Sequence, residues 1–526
     1  MAVPMVAAAA PLRLAPLLAG IPLALVAGGC GGDPPAASGP TRPNVLLITI
    51  DTLRADHLGC YGYDPYPVPV SPAIDALAGE GLRFEACFAP RGQTGPSLMS
   101  LLTGLYPSSH GVLDNYDPLR EEGSDLVDDF APLGHELHGF AAFCPVKKSS
   151  RAGLAFARMA ALEPPRGSWF DARPGMKGAP WARVDDAVEQ ALLRFLASRG
   201  SARRPFFAWA HFYDVHQPWS PPADLHAAFA GDYRGPLRAA APTEAHFDGV
   251  VKERLDAAMR ARTPLDPADA RYVTALYDGG IRATDDRVGR IVAQLRSAGL
   301  LDSTVVCVTA DHGEELGEHG GFWFHGNSVY DAVLRIPLVI RGPGVKPGVV
   351  TELAQNLDLL PTLLEFLGGK VPPGIDGLSL APLLRGERPD PPLREIAWAE
   401  WEDVILTART REWKLVRNVR GARPKLPPYQ GDDDPGFDVG CRELYDLRAD
   451  PGETRDVWRE RHGDVEFLRR QAEDEEERRF HGLERGALDA MTEEERLELL
   501  RLGYGAAGPD GARALNYRLD PARCDE

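Results

Sequence analysis

The chain of 526 residues is long enough to bury one large core or two unequal ones, and its 44% hydrophobic and 25% charged residues are typical of a soluble globular protein. Its 58 Lys and Arg residues stand against 76 Asp and Glu residues, which gives a formal net charge of −18 at pH 7. Nucleic-acid binding needs a basic surface, so this balance argues against a nucleic-acid partner. An anionic substrate would need a local positive site, most simply a bound metal ion.

The N-terminal segment predicts export. An apolar run covers Leu12 to Ala27, and small residues then lead directly into Cys30, as in a bacterial lipobox. The run is shorter than the roughly 20 unbroken apolar residues of a membrane span. We therefore expect a signal peptide over residues 1–30, lipidation of Cys30 and a linker over 31–42. This predicts a membrane-anchored lipoprotein that faces the periplasm or the exterior; a plain secretory signal is the alternative.

Apolar runs and amphipathic segments alternate along the next part of the chain. Near-continuous apolar runs predict buried strands at 44–51, 206–212, 304–309 and 336–340. Helical spacing of apolar residues predicts helices at 184–199 and 285–298, each followed by glycine. Alternation of this kind indicates an α/β fold with a largely parallel sheet sandwiched by helices.

Polar residues of the types that bind metals follow three of these strands. Asp51 follows the first strand, Asp214 and His216 follow the second, and Asp311 and His312 follow the third. Ligand sites in open α/β sheets gather at the carboxyl ends of the strands. The sequence therefore predicts one site that is assembled from distant segments.

The segment from Thr94 to Gly104 predicts a helix with a candidate nucleophile at its start. Pro96 is a favoured first-turn residue, and Leu98 and Leu101 mark a helix face. The N–H groups and the positive dipole end of a helix N-terminus favour an alkoxide and a phosphate or sulfate oxygen. Taken alone, Thr94 would be interpreted as a capping hydroxyl.

After about residue 380 the composition changes to short strand-like runs and then to a charged helical tail. We expect a catalytic domain over 43–380, a smaller α+β subdomain over 381–460 and the tail over 461–526. The acidic run from Glu473 to Glu477 predicts a solvated helix face.

The motifs resemble those of the sulfatase family, in family order, over roughly residues 43 to 455. The segments that carry the resemblance are the first metal-binding element Asp51–Gly62, the signature segment Thr94–Gly104, the Asp-x-His-x-Pro element within Phe212–Pro218 and the Asp-His-Gly-Glu element Asp311–Glu314. Thr94 stands where the family has a Cys or Ser that is oxidised to formylglycine. Oxidation of a threonine would give a ketone, so the chain resembles a threonine-nucleophile variant of the wider alkaline phosphatase superfamily.

Three further positions depart from the formylglycine sulfatases. Leu98 replaces the signature Arg, Thr52 replaces the second of two adjacent Asp residues, and His325 stands where an active-site Lys is common. Loss of the second carboxylate weakens the case for calcium, which prefers many oxygen ligands.

The resemblance implies an alkaline phosphatase-like fold and a metal-dependent hydrolase of sulfate, phosphate or phosphonate esters. Thr94 would attack sulfur or phosphorus. The ligands of a first divalent metal ion would be Asp51, Thr94, Asp311 and His312, a mixed oxygen and nitrogen set that favours zinc over calcium. His216 and His325 would stabilise the transferred or leaving group. A second ion could be held by Asp214, His216 and His325; without it, the two histidines would act directly.

Two functions from other classes stay open. One is a transferase that moves a phospho-alcohol group onto a surface glycan or lipid, although such enzymes usually carry several N-terminal membrane helices. The other is a non-catalytic binding protein with the sulfatase fold. The substrate itself would be a small-molecule, glycan or lipid ester, and the sequence leaves the oligomeric state open.

Overall fold

A computed structural model gives the fold and describes residues 42–115, 117, 119, 129–141, 182–199, 204–239, 243, 246–261, 263–419, 422–424, 440–480 and 517–519. The predicted signal peptide with Cys30 lies outside these residues, as do the linker up to residue 41 and most of the tail after residue 480. Among the described residues, no helix is both long enough and apolar enough to cross a membrane.

Seven strands of the described residues form the central sheet, in the spatial order β3-β4-β1-β5-β6-β2-β7. Along the chain they are β1 (Asn44–Ile50), β2 (Leu82–Phe88), β3 (Glu136–Ala141), β4 (Phe206–Phe212), β5 (Thr304–Ala310), β6 (Arg335–Arg341) and β7 (Gly348–Gln355). Only β6 runs antiparallel to its two neighbours, β5 and β2. The other four pairings are parallel, which confirms the predicted sheet type.

Helices flank this sheet, as an α/β fold requires. In chain order, the described α-helices are α1 (Pro72–Glu80), α2 (Thr94–Thr103), α3 (Pro107–His110), α4 (Ala182–Ser198), α5 (Ala223–Ala230), α6 (Lys252–Ala261), α7 (Pro267–Ser297), α8 (Glu318–Gly321), α9 (Asp331–Leu334), α10 (Leu359–Phe366), α11 (Ala381–Leu384), α12 (Trp458–Arg461) and α13 (Glu466–Phe480). The residues of β4 and β5 are buried throughout, because both faces of these strands are covered.

A separate antiparallel sheet forms the C-terminal part, in the order β12-β10-β9-β8. Its strands are β8 (Ala397–Trp401), β9 (Ile405–Arg409), β10 (Trp413–Asn418) and β12 (Arg442–Asp446); a second small sheet pairs β11 (Ala422–Pro424) with β13 (Tyr517–Leu519). The acidic run on α13 is not a purely solvated face. Glu476 forms an ion pair with Arg417 of β10 at 2.8 Å, so part of this acidic face contacts the C-terminal sheet.

The four strands that apolar runs predict are present, and each end differs from its predicted position by at most one residue. Within the central sheet, the strands that the sequence did not predict are β2, β3 and β7. Two of them, β3 and β7, lie at the edges of the sheet and are partly exposed, so polar residues interrupt their apolar runs. The buried central strands keep continuous apolar sequences and were therefore predictable.

The helix that was predicted at 285–298 is only the last part of α7, which is 31 residues long. The interior pair Gly279-Gly280 weakens the local helix preference. A Cβ atom at Gly280 would come within 2.6 Å of the carbonyl oxygen of Asp214. This glycine therefore lets the segment after β4, which carries His216, pack closely against α7.

Candidate active site

The carboxyl ends of β4, β1 and β5 lie side by side. Ile50 at the end of β1 pairs with Phe212 of β4 on one side and with Ala310 of β5 on the other. Because the three strands are parallel and end in register, the residues that follow them emerge at one edge of the sheet. The structure thus brings Asp51, Asp311 and His312 together from segments far apart in the chain, as predicted.

Asp51 and Asp311 form the centre of this cluster. Both are fully buried, and within the described residues Asp51 Oδ1 and Asp311 Oδ2 have no hydrogen-bond partner. Burial raises the pKa of Asp51, but the neighbouring imidazoles of His216, His211 and His312 outweigh it, so the pKa lies below its usual range. Burial and the charge of Asp51 raise the pKa of Asp311 well above its usual range. Two adjacent buried carboxylates with free oxygens are a fitting site for a cation.

Thr94 is the first residue of α2 and reaches this centre with its hydroxyl. Its Oγ1 lies 3.5 Å from Asp51 Oδ2 and 3.3 Å from His312 Nε2. The Nδ1–H group of His312 donates to the Gly313 carbonyl oxygen at 2.9 Å, which leaves Nε2 with a lone pair toward Thr94. Burial and the nearby His325 lower the pKa of His312 to about 3, so its imidazole is neutral.

Asn115 binds the backbone at the start of α2. The N–H group of Gly95 donates to Asn115 Oδ1 at 2.7 Å, and Asn115 is buried. A Cβ atom at Gly95 would lie 2.8 Å from Asn115 Cα, so only glycine permits this approach. Asn115 therefore holds the first turn of the helix whose first residue is Thr94.

His216 and His325 meet in space although they are 109 positions apart in the sequence. Their ring centroids are 4.9 Å apart, and the ring of His325 lies 4.6 Å from that of His312. Glu314 Oε1 hydrogen-bonds with His325 Nδ1 at 3.0 Å. Burial and the neighbouring His216 hold the pKa of His325 well below its usual value. His216 and His325 thus lie beside the cluster, next to His312.

The carboxylate of Asp214 is engaged by an arginine of α7. Its Oδ2 accepts a hydrogen bond from Arg287 Nε of α7 at 2.9 Å, in a close ion pair. Its backbone N–H donates to Asp185 of α4 at 2.7 Å. An arginine that is remote in sequence thus competes with a metal ion for this carboxylate, and the second metal set of Asp214, His216 and His325 stays a prediction.

His211, near the end of β4, is a residue of this cluster that the sequence analysis missed. Its Nε2 is buried without a hydrogen-bond partner among the described residues and lies 3.8 Å from Asp51 Oδ2. Ligand atoms of Asp51, His211 and Asp311 all lie within 4.8 Å of one another. The available signal was a lone histidine in an otherwise apolar strand, Phe-Phe-Ala-Trp-Ala-His-Phe.

Comparison with known proteins places this site in a family. A family model described as Sulfatase matches residues 43–369. The chain belongs to the sulfatase family. A second model, described as N-sulphoglucosamine sulphohydrolase, C-terminal, matches residues 317–475. The resemblance of the motifs is thereby confirmed at the level of the family.

Relatives of this sulfatase-family chain carry names from two kinds of ester chemistry. It is 30% identical over 412 residues to the multifunctional alkaline phosphatase superfamily protein PehA of Trinickia caryophylli, which covers 66% of the chain and 78% of the relative. It is 24% identical to an N-acetylglucosamine-6-O-sulfatase of Bacteroides thetaiotaomicron, over 82% of the chain and 85% of the relative.

Solved structures agree on the fold. A solved protein structure in complex with its substrate D-glucosamine-2-N,6-O-disulfate superposes on this chain with a TM-score of 0.63 and 22% sequence identity, over 84% of this chain and 98% of the other. The phosphonate monoester hydrolase of Agrobacterium radiobacter gives a TM-score of 0.59 and 24% identity, over 82% and 96%. The protein is therefore an ester hydrolase of the sulfatase and alkaline phosphatase superfamily, which acts on sulfate or phosphate esters.

Proposed function

We propose that the protein hydrolyses phosphate or phosphonate esters through Thr94 as the nucleophile, with sulfate esters as a second substrate class. The observation that carries this proposal is the convergence of Thr94 Oγ1 with Asp51 Oδ2 and His312 Nε2 in a buried cluster. Thr94 has a single hydroxyl, so an ester formed on it is released only when water attacks the phosphorus or sulfur atom.

The donor set around Thr94 fits a divalent metal ion. The unpartnered oxygens of Asp51 and Asp311 are buried and close together, and a neutral His312 presents a nitrogen to the same place. Asp51, Asp311, His312 and the Thr94 oxygen would hold the ion. When bound, it would lower the pKa of the Thr94 hydroxyl and neutralise negative charge on the ester. Oxygen and nitrogen ligands together favour zinc or a similar transition metal over calcium.

The side chains then divide the reaction between them. Thr94 Oγ1 forms a bond to phosphorus or sulfur as the bond to the leaving oxygen breaks, and the Thr94 proton leaves to solvent. His216 is the most exposed of the four clustered histidines and gives a proton to the departing oxygen. Water then attacks the phosphorus or sulfur atom as its bond to Thr94 Oγ1 breaks. One water proton returns to His216, Thr94 Oγ1 takes a proton back from solvent, and phosphate, phosphonate or sulfate leaves. Glu314 orients His325 beside the transferred group.

The substrate is proposed to be a small-molecule, glycan or lipid ester outside the cytoplasm. Relatives named for N-acetylglucosamine-6-O-sulfate and phosphonate monoesters support both ester classes. Cys441 is disulfide-bonded, which supports export because disulfides persist in oxidising compartments. Lipidation of Cys30 stays part of this proposal. The intact set of Asp51, Thr94, Asp311 and His312 counts against a non-catalytic binding protein.

The test is hydrolysis of four nitrophenyl esters (a sulfate, a phosphate monoester, a phosphate diester and a phosphonate) by the mature protein after metal reconstitution. Thr94→Ala should lower kcat/KM on the preferred ester by more than about 10³-fold, because it removes the attacking atom. Thr103→Ala is the matched control: it removes a hydroxyl at the other end of the same helix, where Oγ1 donates to the Met99 carbonyl oxygen, and should retain activity.

Acid quenching and peptide mass spectrometry should find the phosphoryl or phosphonyl ester on Thr94. Activity that survives Thr94→Ala would refute the nucleophile. A preference for the sulfate ester would reverse the proposed order of substrate classes. Inactivity of the wild type on all four esters would contradict the proposed substrate chemistry.

A further inference from the structure

The candidate metal site has a threonine, and no carboxylate, at the position after Asp51. Thr52 directly follows Asp51, and its hydroxyl donates to the Asp51 carbonyl oxygen at 2.8 Å instead of contributing a charge. Its φ of 57° lies in the left-handed region, which β-branched residues rarely adopt and which Asn and Asp tolerate better. The backbone at this position therefore suits an aspartate, but the chain supplies no anion there.

A nitrogen from the neighbouring strand β4 approaches the carboxylate of Asp51. His211 Nε2 is fully buried and has no hydrogen-bond partner among the described residues. It lies 3.8 Å from Asp51 Oδ2, too far for a hydrogen bond but a suitable separation for two ligands of one ion. A buried polar atom without a partner costs free energy, so its retention indicates a ligand that is still to be bound.

The contacts of the other ring nitrogen orient this one. His211 Nδ1 lies 2.8 Å from Thr49 Oγ1, and that hydroxyl also accepts a hydrogen bond from Trp209 Nε1 at 2.9 Å. The hydroxyl proton is directed at the Ala210 carbonyl oxygen, 3.4 Å away. This network accommodates the tautomer in which His211 Nδ1 donates to Thr49 Oγ1 and Nε2 presents its lone pair toward Asp51, and this is the tautomer that can bind a metal ion through Nε2. This is the arrangement in which outer contacts fix the ring of a metal-binding histidine.

We propose that His211 is an additional metal ligand that takes the place of the carboxylate missing at Thr52. The proposal rests on the metal site of the proposed function and specifies its ligand set further. With Asp51, Asp311, His312 and the Thr94 oxygen, the site then has two imidazole nitrogens. Exchange of an oxygen ligand for a second nitrogen moves the preference of the site away from calcium and toward zinc or cobalt.

The experiment measures metal binding rather than turnover. The full mature chain is stripped of metal and titrated with Zn²⁺ and Co²⁺ against a chromophoric chelator, and the visible absorption of the Co²⁺ form is recorded. His211→Asn keeps a polar group near Nδ1 for Thr49 but has no atom at Nε2. It should bind zinc at least about tenfold more weakly and shift the Co²⁺ spectrum. The matched control is His226→Asn, a buried histidine that contacts Tyr272 outside the cluster and should leave both unchanged.

A double variant keeps the idea testable if His211→Asn folds poorly. Thr52→Asp with His211→Asn should recover metal binding, now with calcium competing more strongly against zinc. Unchanged zinc affinity and an unchanged Co²⁺ spectrum in His211→Asn would overturn the role of His211 and leave the rest of the site intact. Failure of the wild type to bind any of these ions would overturn the metal site of the proposed function as well.

Discussion

A single buried carboxylate anchors the segment that carries His216. Asp185 of α4 is completely buried, and its two oxygens accept the Tyr213 N–H at 3.0 and 2.8 Å. Its Oδ2 also accepts the Asp214 N–H at 2.7 Å. These contacts hold the backbone two and three residues before His216. We predict that Asp185→Ala loosens this segment and lowers turnover, although Asp185 is not part of the clustered site.

The structure sets the size of the effect. Asp185→Ala leaves two backbone N–H groups without their acceptor, and each such group costs about 1–3 kcal/mol when it stays buried. Burial and the neighbouring Asp214 raise the pKa of Asp185, so its removal also relieves part of a desolvation cost. The local opening free energy should therefore fall by about 2–3 kcal/mol, near the lower end of the range. Since 1.4 kcal/mol is a factor of ten, amide exchange should accelerate by about 30–140-fold.

Hydrogen exchange followed by mass spectrometry measures this directly on peptides that cover residues 206–219. Asp185→Asn keeps one acceptor oxygen and should show about half the loss. Asp186→Asn is the matched control, because its side chain is 63% exposed and pairs with Arg287 rather than with the backbone that follows β4. Exchange in Asp185→Ala within about twofold of the wild type would refute this reasoning, since a difference of that size is below 0.5 kcal/mol. A fall in kcat without faster exchange would also refute it.

Two further predictions concern residues outside the cluster. Asn115→Ala removes the acceptor of the Gly95 N–H. The free energy of unfolding should therefore fall by about 1–2 kcal/mol, as for a lost helix cap, and kcat should fall with it. A denaturant unfolding curve and a kcat that both match the wild type would contradict this prediction. Burial raises the pKa of Asp285 to about 7, so the folded state binds this proton more tightly than the unfolded state. The wild type should lose up to about 4 kcal/mol from this group as pH rises from about 4 to about 7. Asp285→Asn should remove this loss of stability, whereas the control Asp286→Asn should keep it. If the free energy of unfolding of the wild type and of Asp285→Asn changes equally with pH across this range, the prediction is wrong.

The central strands and the order of the site motifs were predictable from local sequence. The runs at β1, β4 and β5 are apolar at almost every position because both faces of these strands are covered, and such runs are visible without any tertiary contact. Parallel strands align their carboxyl ends, so the residues that follow them could be assigned to one place. The edge strand β7 was not predictable, since its exposed first residues follow no apolar pattern.

The site residues that escaped prediction depend on partners from remote segments. Asp214 and Asp51 look alike in sequence, as carboxylates just after buried strands. Only the packing of α7 against the β4 segment places Arg287, 73 positions away, on Asp214, whereas Asp51 Oδ1 has no hydrogen-bond partner among the described residues. In the sequence, His211 cannot be distinguished from a core residue of its strand. In the structure it pairs with Thr49 of β1, and its Nε2 lies 3.8 Å from Asp51 Oδ2.

The sequence by itself therefore determined the α/β fold, the family resemblance and the grouping of Asp51, Thr94, Asp311 and His312. Each of these rests on local periodicity or on motifs that are contiguous in the chain. The tertiary structure alone decided which carboxylates are neutralised, which ring nitrogens are left without partners and how the start of α2 is capped. Charge pairing and hydrogen bonding act over a few ångströms in space, and the residues that satisfy them here are separated by 20 to 259 positions in the chain.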